Sequence, residues 1–93
     1  MDVVHVITGG AGGMGLASAR RLAATGVVLL ADASQSALEV ASATLKADRI
    51  DAETIVCDVS DEKDIAATVA AVGNRKLGAL VHVEGLRSAR KSG

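Results

Sequence analysis

Thr8-Gly9-Gly10-Ala11-Gly12-Gly13-Met14-Gly15 is the stretch that decides how this chain folds. It follows an apolar, β-branched run at residues 3–7 and precedes residues 14–25, where Leu16, Ala19, Leu22 and Ala23 recur at helical spacing before Gly26. A strand that ends in glycines and passes straight into a helix places unpaired backbone N–H groups, and the positive end of the helix dipole, at one point. Glycine keeps that point clear of Cβ atoms, so an anionic group can approach the backbone. The glycines satisfy two templates at once. Gly10, Gly12 and Gly15 fit G-x-G-x-x-G, while Gly9, Gly13 and Gly15 fit G-x-x-x-G-x-G. A merely flexible glycine loop is the competing reading. No Gly-Lys-Ser/Thr follows, so the turn is not a P-loop.

Working outward, residues 27–31 form a second continuous apolar run. Ser36 and Glu39 have capping-box spacing at the head of a second helix, whose Leu38, Ala41 and Leu45 share a face. Residues 53–57 read as a third strand. Ser60 is placed to cap a third helix with Asp61 and Glu62 at its positive end and Ile65, Val69 and Val72 facing inward. A polar break at residues 73–78 leads to a fourth strand at 79–83. Continuous apolar strands that alternate with helices predict an α/β fold with a parallel sheet covered on both faces. The expected architecture is Rossmann-like: four strands in the order 3-2-1-4 and three helices, a truncated doubly wound fold. Residues 1–85 form the binding half-domain and residues 86–93 a polar tail.

Composition narrows the function classes. The 93 residues are 49% apolar but contain no Phe, Tyr, Trp or Pro, so the core must be built from Ala, Val, Leu and Ile. A net charge of −1 offers no footprint for nucleic acid or an anionic membrane. No apolar run reaches the roughly 18 to 20 residues that span a bilayer. One cysteine, Cys57, makes no internal disulfide and reads as a small core hydrophobe. With no secretory signal pattern at the N-terminus, these features predict a cytoplasmic protein.

Asp32 closes the second strand about 20 residues beyond the glycines, where a carboxylate accepts hydrogen bonds from an adenosine ribose. The same charge repels a 2′-phosphate, so it selects NAD over NADP. A helix cap or solvated acid is the alternative. Asp58, after the third strand, falls on the same carboxyl edge and reads equally as an adenine contact or as an acid at the head of the third helix.

With these residues in place, the chain resembles the N-terminal half of a short-chain dehydrogenase/reductase of the classical branch. Thr8-Gly9, Gly13, Met14 and Gly15 match that family's cofactor turn, and residues 15–23 resemble its first helix. Asp32 matches its NAD-selecting acid, Asp58-Val59 its adenine-contacting pair, and Gly85 the glycine of its Asn-Asn-Ala-Gly segment. Gly9, Gly12 and Gly15 also suit the extended branch of the family. The resemblance implies a dinucleotide cofactor, NAD in preference to NADP, and alcohol–carbonyl interconversion in the parent enzymes.

Two departures qualify what the resemblance implies. His82, Val83 and Glu84 stand where the family has Asn, Asn and Ala, and Glu84 sets a negative charge beside a polyanionic ligand. His82 reads as a structural strand-end residue. The family's catalytic Ser and Tyr-x-x-x-Lys fall beyond the fourth strand, and there is no Tyr in these 93 residues. No catalytic residue is assigned, Ser88 and Lys91 included. The leading expectation is therefore an NAD-binding portion of an oxidoreductase, inactive by itself. The alternatives are an interaction module that self-associates through the open edge of strand four, or a remnant whose ligand is excluded by Glu84.

Overall fold

The computed structural model describes residues 3–9, 11–58 and 60–83. Strands β1 (Val3–Thr8), β2 (Val27–Asp32), β3 (Glu53–Val56) and β4 (Lys76–His82) alternate with helices α1 (Gly13–Leu22), α2 (Gln35–Ala47) and α3 (Glu62–Val72). All three strand pairings are parallel and the order is β3-β2-β1-β4, as the sequence pattern predicts. Val59, Glu84, Gly85 and the 86–93 tail lie outside the described residues.

The pleat of β1 sends successive side chains to opposite faces. Ile7 joins Ala19 of α1, Val28 and Leu30 of β2, and Leu38, Ala41 and Leu45 of α2 in one core, each of them 0–1% exposed. Val4 and Val6 point the other way and meet Leu29 and Val72. Helices α1 and α2 therefore cover one face of the sheet, and α3 covers part of the other. This switch of sides follows the chain's reversal from the β3 edge back across β2 and β1 to β4.

Five local expectations need correction. The cap of α2 is Ser34, not Ser36: Ser34 is extended and its hydroxyl accepts the Ala37 N–H at 3.2 Å. With Ala37 three residues on, there is no glutamate to complete a capping box. The cap of α3 is Asp61, whose Oδ1 accepts the Lys63 N–H at 2.9 Å, because Ser60 is turned back to the Asp58 carboxylate. Strand β4 begins at Lys76 and runs through Gly78, and α1 ends at Leu22. On α3, Val72 and Thr68 are buried, whereas Ile65 and Val69 are 43% and 66% exposed.

The last correction has a geometric cause. Arg75 clamps the C-terminal end of α3. It donates to the Val72 and Ala71 carbonyls and forms a bidentate bond to Glu53 at 2.6 and 2.9 Å. That end lies against the sheet at Val72, while Ile65 and Val69 border a groove of about 490 Å³ that also reaches Val6, Cys57, Leu80 and His82. Cys57 is buried at 3% exposure, as expected of a core thiol.

Candidate functional site

The carboxyl edge of the sheet brings the ends of β1 and β2 together at the glycine turn. Thr8 closes β1, and the next residue, Gly9, has φ +69°. Its N–H donates to the Ala31 carbonyl at 2.7 Å, so the chain leaves β1 across the end of β2. A Cβ on Gly9 would stand 2.6 Å from the Val83 carbonyl oxygen. Glycine is thus required there twice over, by conformation and by contact.

Gly12 caps α1 with extended backbone and no side-chain cap, and the first turn of the helix carries no acidic residue. Among the described residues, nothing lies within 4 Å of a Cβ built at Gly12 or Gly13. Their bareness faces open space rather than a crowded neighbour. Helix-start N–H groups beside such open space suit an anion that comes close to the backbone. Met14 is 71% exposed at the lip, while Gly15 is buried on the sheet side of α1.

Asp32 reaches this turn. Its Oδ2 accepts the Ala11 N–H at 3.3 Å and its Oδ1 accepts the Ser34 N–H at 3.1 Å. The carboxylate therefore ties the turn to the β2 end while remaining half-buried. Register explains the meeting: Thr8 pairs with Ala31, so Asp32 emerges one residue beyond the ladder.

Asp58 sits at the neighbouring β3 end, on the same edge, because Asp32 pairs with Val56 and its carbonyl accepts the Cys57 N–H. Its carboxylate accepts the Ser60 hydroxyl and N–H, and these bonds hold its pKa below the ordinary 3.8. Asp64 in turn accepts the Asp58 N–H at 2.9 Å. These bonds place Asp58 at the entry to α3, on the same carboxyl edge that an adenine contact requires. Val59 and Gly85, also expected at the site, lie outside the described residues.

Two contacts escaped the sequence reading. The Ala11 amide is a backbone donor whose aim no residue type reveals. The second links Thr8 Oγ1 to His82 Nδ1 at 2.6 Å and to the Val81 carbonyl at 3.4 Å. It joins the last residues of β1 and β4 beside the turn, in keeping with His82 as a structural strand-end residue.

Comparison with known proteins places this geometry among relatives. A family model described as short chain dehydrogenase matches residues 3–92. Levodione reductase of Leifsonia aquatica is 47% identical over 77 residues, which are 80% of this chain and 29% of that protein. The structure of NAD⁺-bound xylitol dehydrogenase superposes with a TM-score of 0.66 at 40% identity, over 74% of this chain and 27% of that one. A variant of actinorhodin polyketide ketoreductase with NADPH superposes at 0.81 with 31% identity, over 90% and 33%. The chain thus spans about a third or less of the length of these relatives. Among the described residues no helix is long and apolar enough to cross a membrane.

Proposed function

This chain belongs to the short-chain dehydrogenase/reductase family of oxidoreductases, and from that premise we propose that it is the cofactor-holding portion of an NAD-dependent member. The observation that carries the reading is the uncapped α1 N-terminus beside the open Gly12–Gly13 surface, with the Asp32 carboxylate at its rim. The turn from Thr8 to Gly15 would hold the pyrophosphate on its N–H groups. Asp32 would accept the ribose hydroxyls and repel a 2′-phosphate, so NAD is preferred to NADP. Asp58, Val59 and Gly85 would border the adenosine half. Relatives with NAD⁺ and with NADPH both superpose on this chain, so Asp32 carries the preference argument alone.

When bound, the nicotinamide supplies a hydride acceptor or donor. Alcohol–carbonyl chemistry also needs an acid within hydrogen-bond reach of the substrate oxygen. With no Tyr in the sequence, we assign these residues to binding and orienting the cofactor and not to proton transfer. The chain by itself is then inactive, and the parent reaction is alcohol–carbonyl interconversion in the cytoplasm.

Calorimetric titration tests the reading. NADH should bind more tightly than NADPH, and Asp32→Ala should narrow that gap by about tenfold or more, the worth of hydrogen bonds to a charged group. Equal binding of both by the unaltered chain, or binding of neither, would refute it. A second reading rests on β4, an edge strand that carries Leu77 and Leu80 at 51% and 65% exposure. Such an edge can pair with another copy. A dimer in sedimentation that ignores nucleotide would favour that reading, and a monomer whose Tm rises with NADH would favour the first.

A further inference from the structure

The β1–β4 ladder is irregular at one place. Val3 and Val4 pair with Lys76 and Leu77, but Val6, Ile7 and Thr8 pair with Leu80, Val81 and His82. Gly78 and Ala79 on β4 therefore oppose the single residue His5 on β1. This is a one-residue bulge, uncommon between parallel strands.

His5 fills it. The residue is 6% exposed, and its Nδ1 accepts the Ala79 N–H at 2.9 Å, so the ring supplies the acceptor that the interrupted ladder lacks. With Nδ1 accepting, the ring proton sits on Nε2 and points at the Thr25 hydroxyl 2.9 Å away, which in turn donates to the Leu22 carbonyl. Two glycines make room for the ring. A Cβ on Gly78 would lie 2.5 Å from His5 Cε1, and one on Gly26 3.0 Å from Nε2.

The bulge has a consequence at the far end of the strand. Leu77 and Leu80 are three residues apart, yet both line the α3-side groove, because the extra residue reverses the pleat. Beyond it, His82 shares that face with Thr8, while Val81 and Val83 pack against the α1–α2 core. Without the bulge, Thr8 would face Val81, and His82 would turn to the other side. The Thr8–His82 bond and the Val83 N–H donated to the Thr8 carbonyl, both beside Gly9, depend on this count.

We propose that His5 is a positioning residue for the cofactor turn: its ring holds the β4 bulge and thereby sets which β4 residues meet Thr8 and Gly9. The inference rests on the dinucleotide reading for its functional meaning, and on the strand register for its structural content.

The test compares His5→Val with the same change combined with deletion of Gly78, in the 93-residue chain. Valine removes the acceptor, and deleting Gly78 removes the extra residue, so that Ala79 returns to a regular ladder position. NMR cross-strand contacts report whether Thr8 lies beside His82 or Val81, and calorimetry reports NADH affinity. His5→Val should lose the Thr8–His82 contact and bind NADH about tenfold more weakly, the effect of roughly 1.4 kcal/mol. The double variant should regain both. A His5→Val chain that keeps the contact, or a double variant that fails to recover it, overturns the proposal. The double variant decides the matter even where His5→Val does not fold, since recovery of an ordered chain with Thr8 beside His82 supports it. If the unaltered chain binds no NADH, the functional reading fails, and the register measurement still judges His5.

Discussion

The two faces of the sheet are built from similar sequence and end in different states. On the α1–α2 face, Ile7, Leu30, Leu38 and Leu45 are 0–1% exposed and interlock around Ala19 and Ala41. On the α3 face, Val4, Val6 and Leu29 are buried, yet Ile65, Val69, Leu77 and Leu80 remain 43–66% exposed around an open groove. Helix α3 has as regular an apolar stripe as α2. The difference is that, among the described residues, two helices lie side by side on the first face and one lies on the second, anchored at its C-terminal end by Arg75. An apolar stripe states what a helix is able to bury. Whether it is buried depends on what lies opposite.

That contrast is open to measurement. Leu30→Ala, on the closed face, should cost about 2–5 kcal/mol through lost transfer energy and the cavity left behind. This is a large share of the roughly 5–15 kcal/mol that holds such a domain. Urea unfolding should show a sharply lowered midpoint or no cooperative transition. Val69→Ala, on helix α3 at the open face, should stay within about 0.5 kcal/mol. Equal losses would mean that the two faces are not different.

Ser34→Ala should sharpen the comparison at a smaller scale. It removes the cap of α2, the helix that closes the first face, and should cost about 1 kcal/mol in the same assay. Ser36→Ala should cost less than that, since the structure gives Ser36 no capping role. The reverse ranking would restore the capping-box reading.

The smallest effect belongs to the clamp on α3. The Arg75 bond holds the Glu53 carboxyl below its ordinary value of 4.5, against a weaker opposing effect of burial. A lowered folded-state pKa contributes stability that is complete above the unfolded value and is lost as pH falls through the folded one. The urea midpoint should therefore drop below about pH 4.5. Glu53→Gln should lessen that drop while costing about 0–1 kcal/mol at neutral pH, as expected of a solvent-screened, partly exposed pair. Asp58, lowered by its bonds to Ser60, leaves a residual slope in the same pH range. An unchanged acid profile in Glu53→Gln would show that the clamp adds nothing.

Much of the molecule was legible in residue order because it rests on short-range rules. β-Branched runs bounded by glycines and helical apolar spacing predicted four parallel strands, three helices and their order. The spacing from the glycine turn to Asp32 predicted that the two would meet at one edge. The misreadings came where two residues competed for one role. Ser34 and Ser36 both suit a cap, as do Ser60 and Asp61, and backbone conformation alone selects between them. Gly78 read as the end of a break because a glycine inside a strand and a glycine before one look alike in sequence. The bulge that His5 fills passed unnoticed, although a glycine inside a strand such as Gly78 is itself a signal for one.

The sequence by itself determined the fold class, the strand order and the glycine turn, because each follows from local periodicity and from the Cβ that glycine lacks. Only the tertiary structure decided which apolar stripe is covered, that the Asp32 carboxylate reaches the Ala11 amide, and that His82 and not Val81 stands beside Thr8. Those outcomes depend on strand register and on a single bulge, and register is a relation between segments more than 70 residues apart that neither segment carries alone.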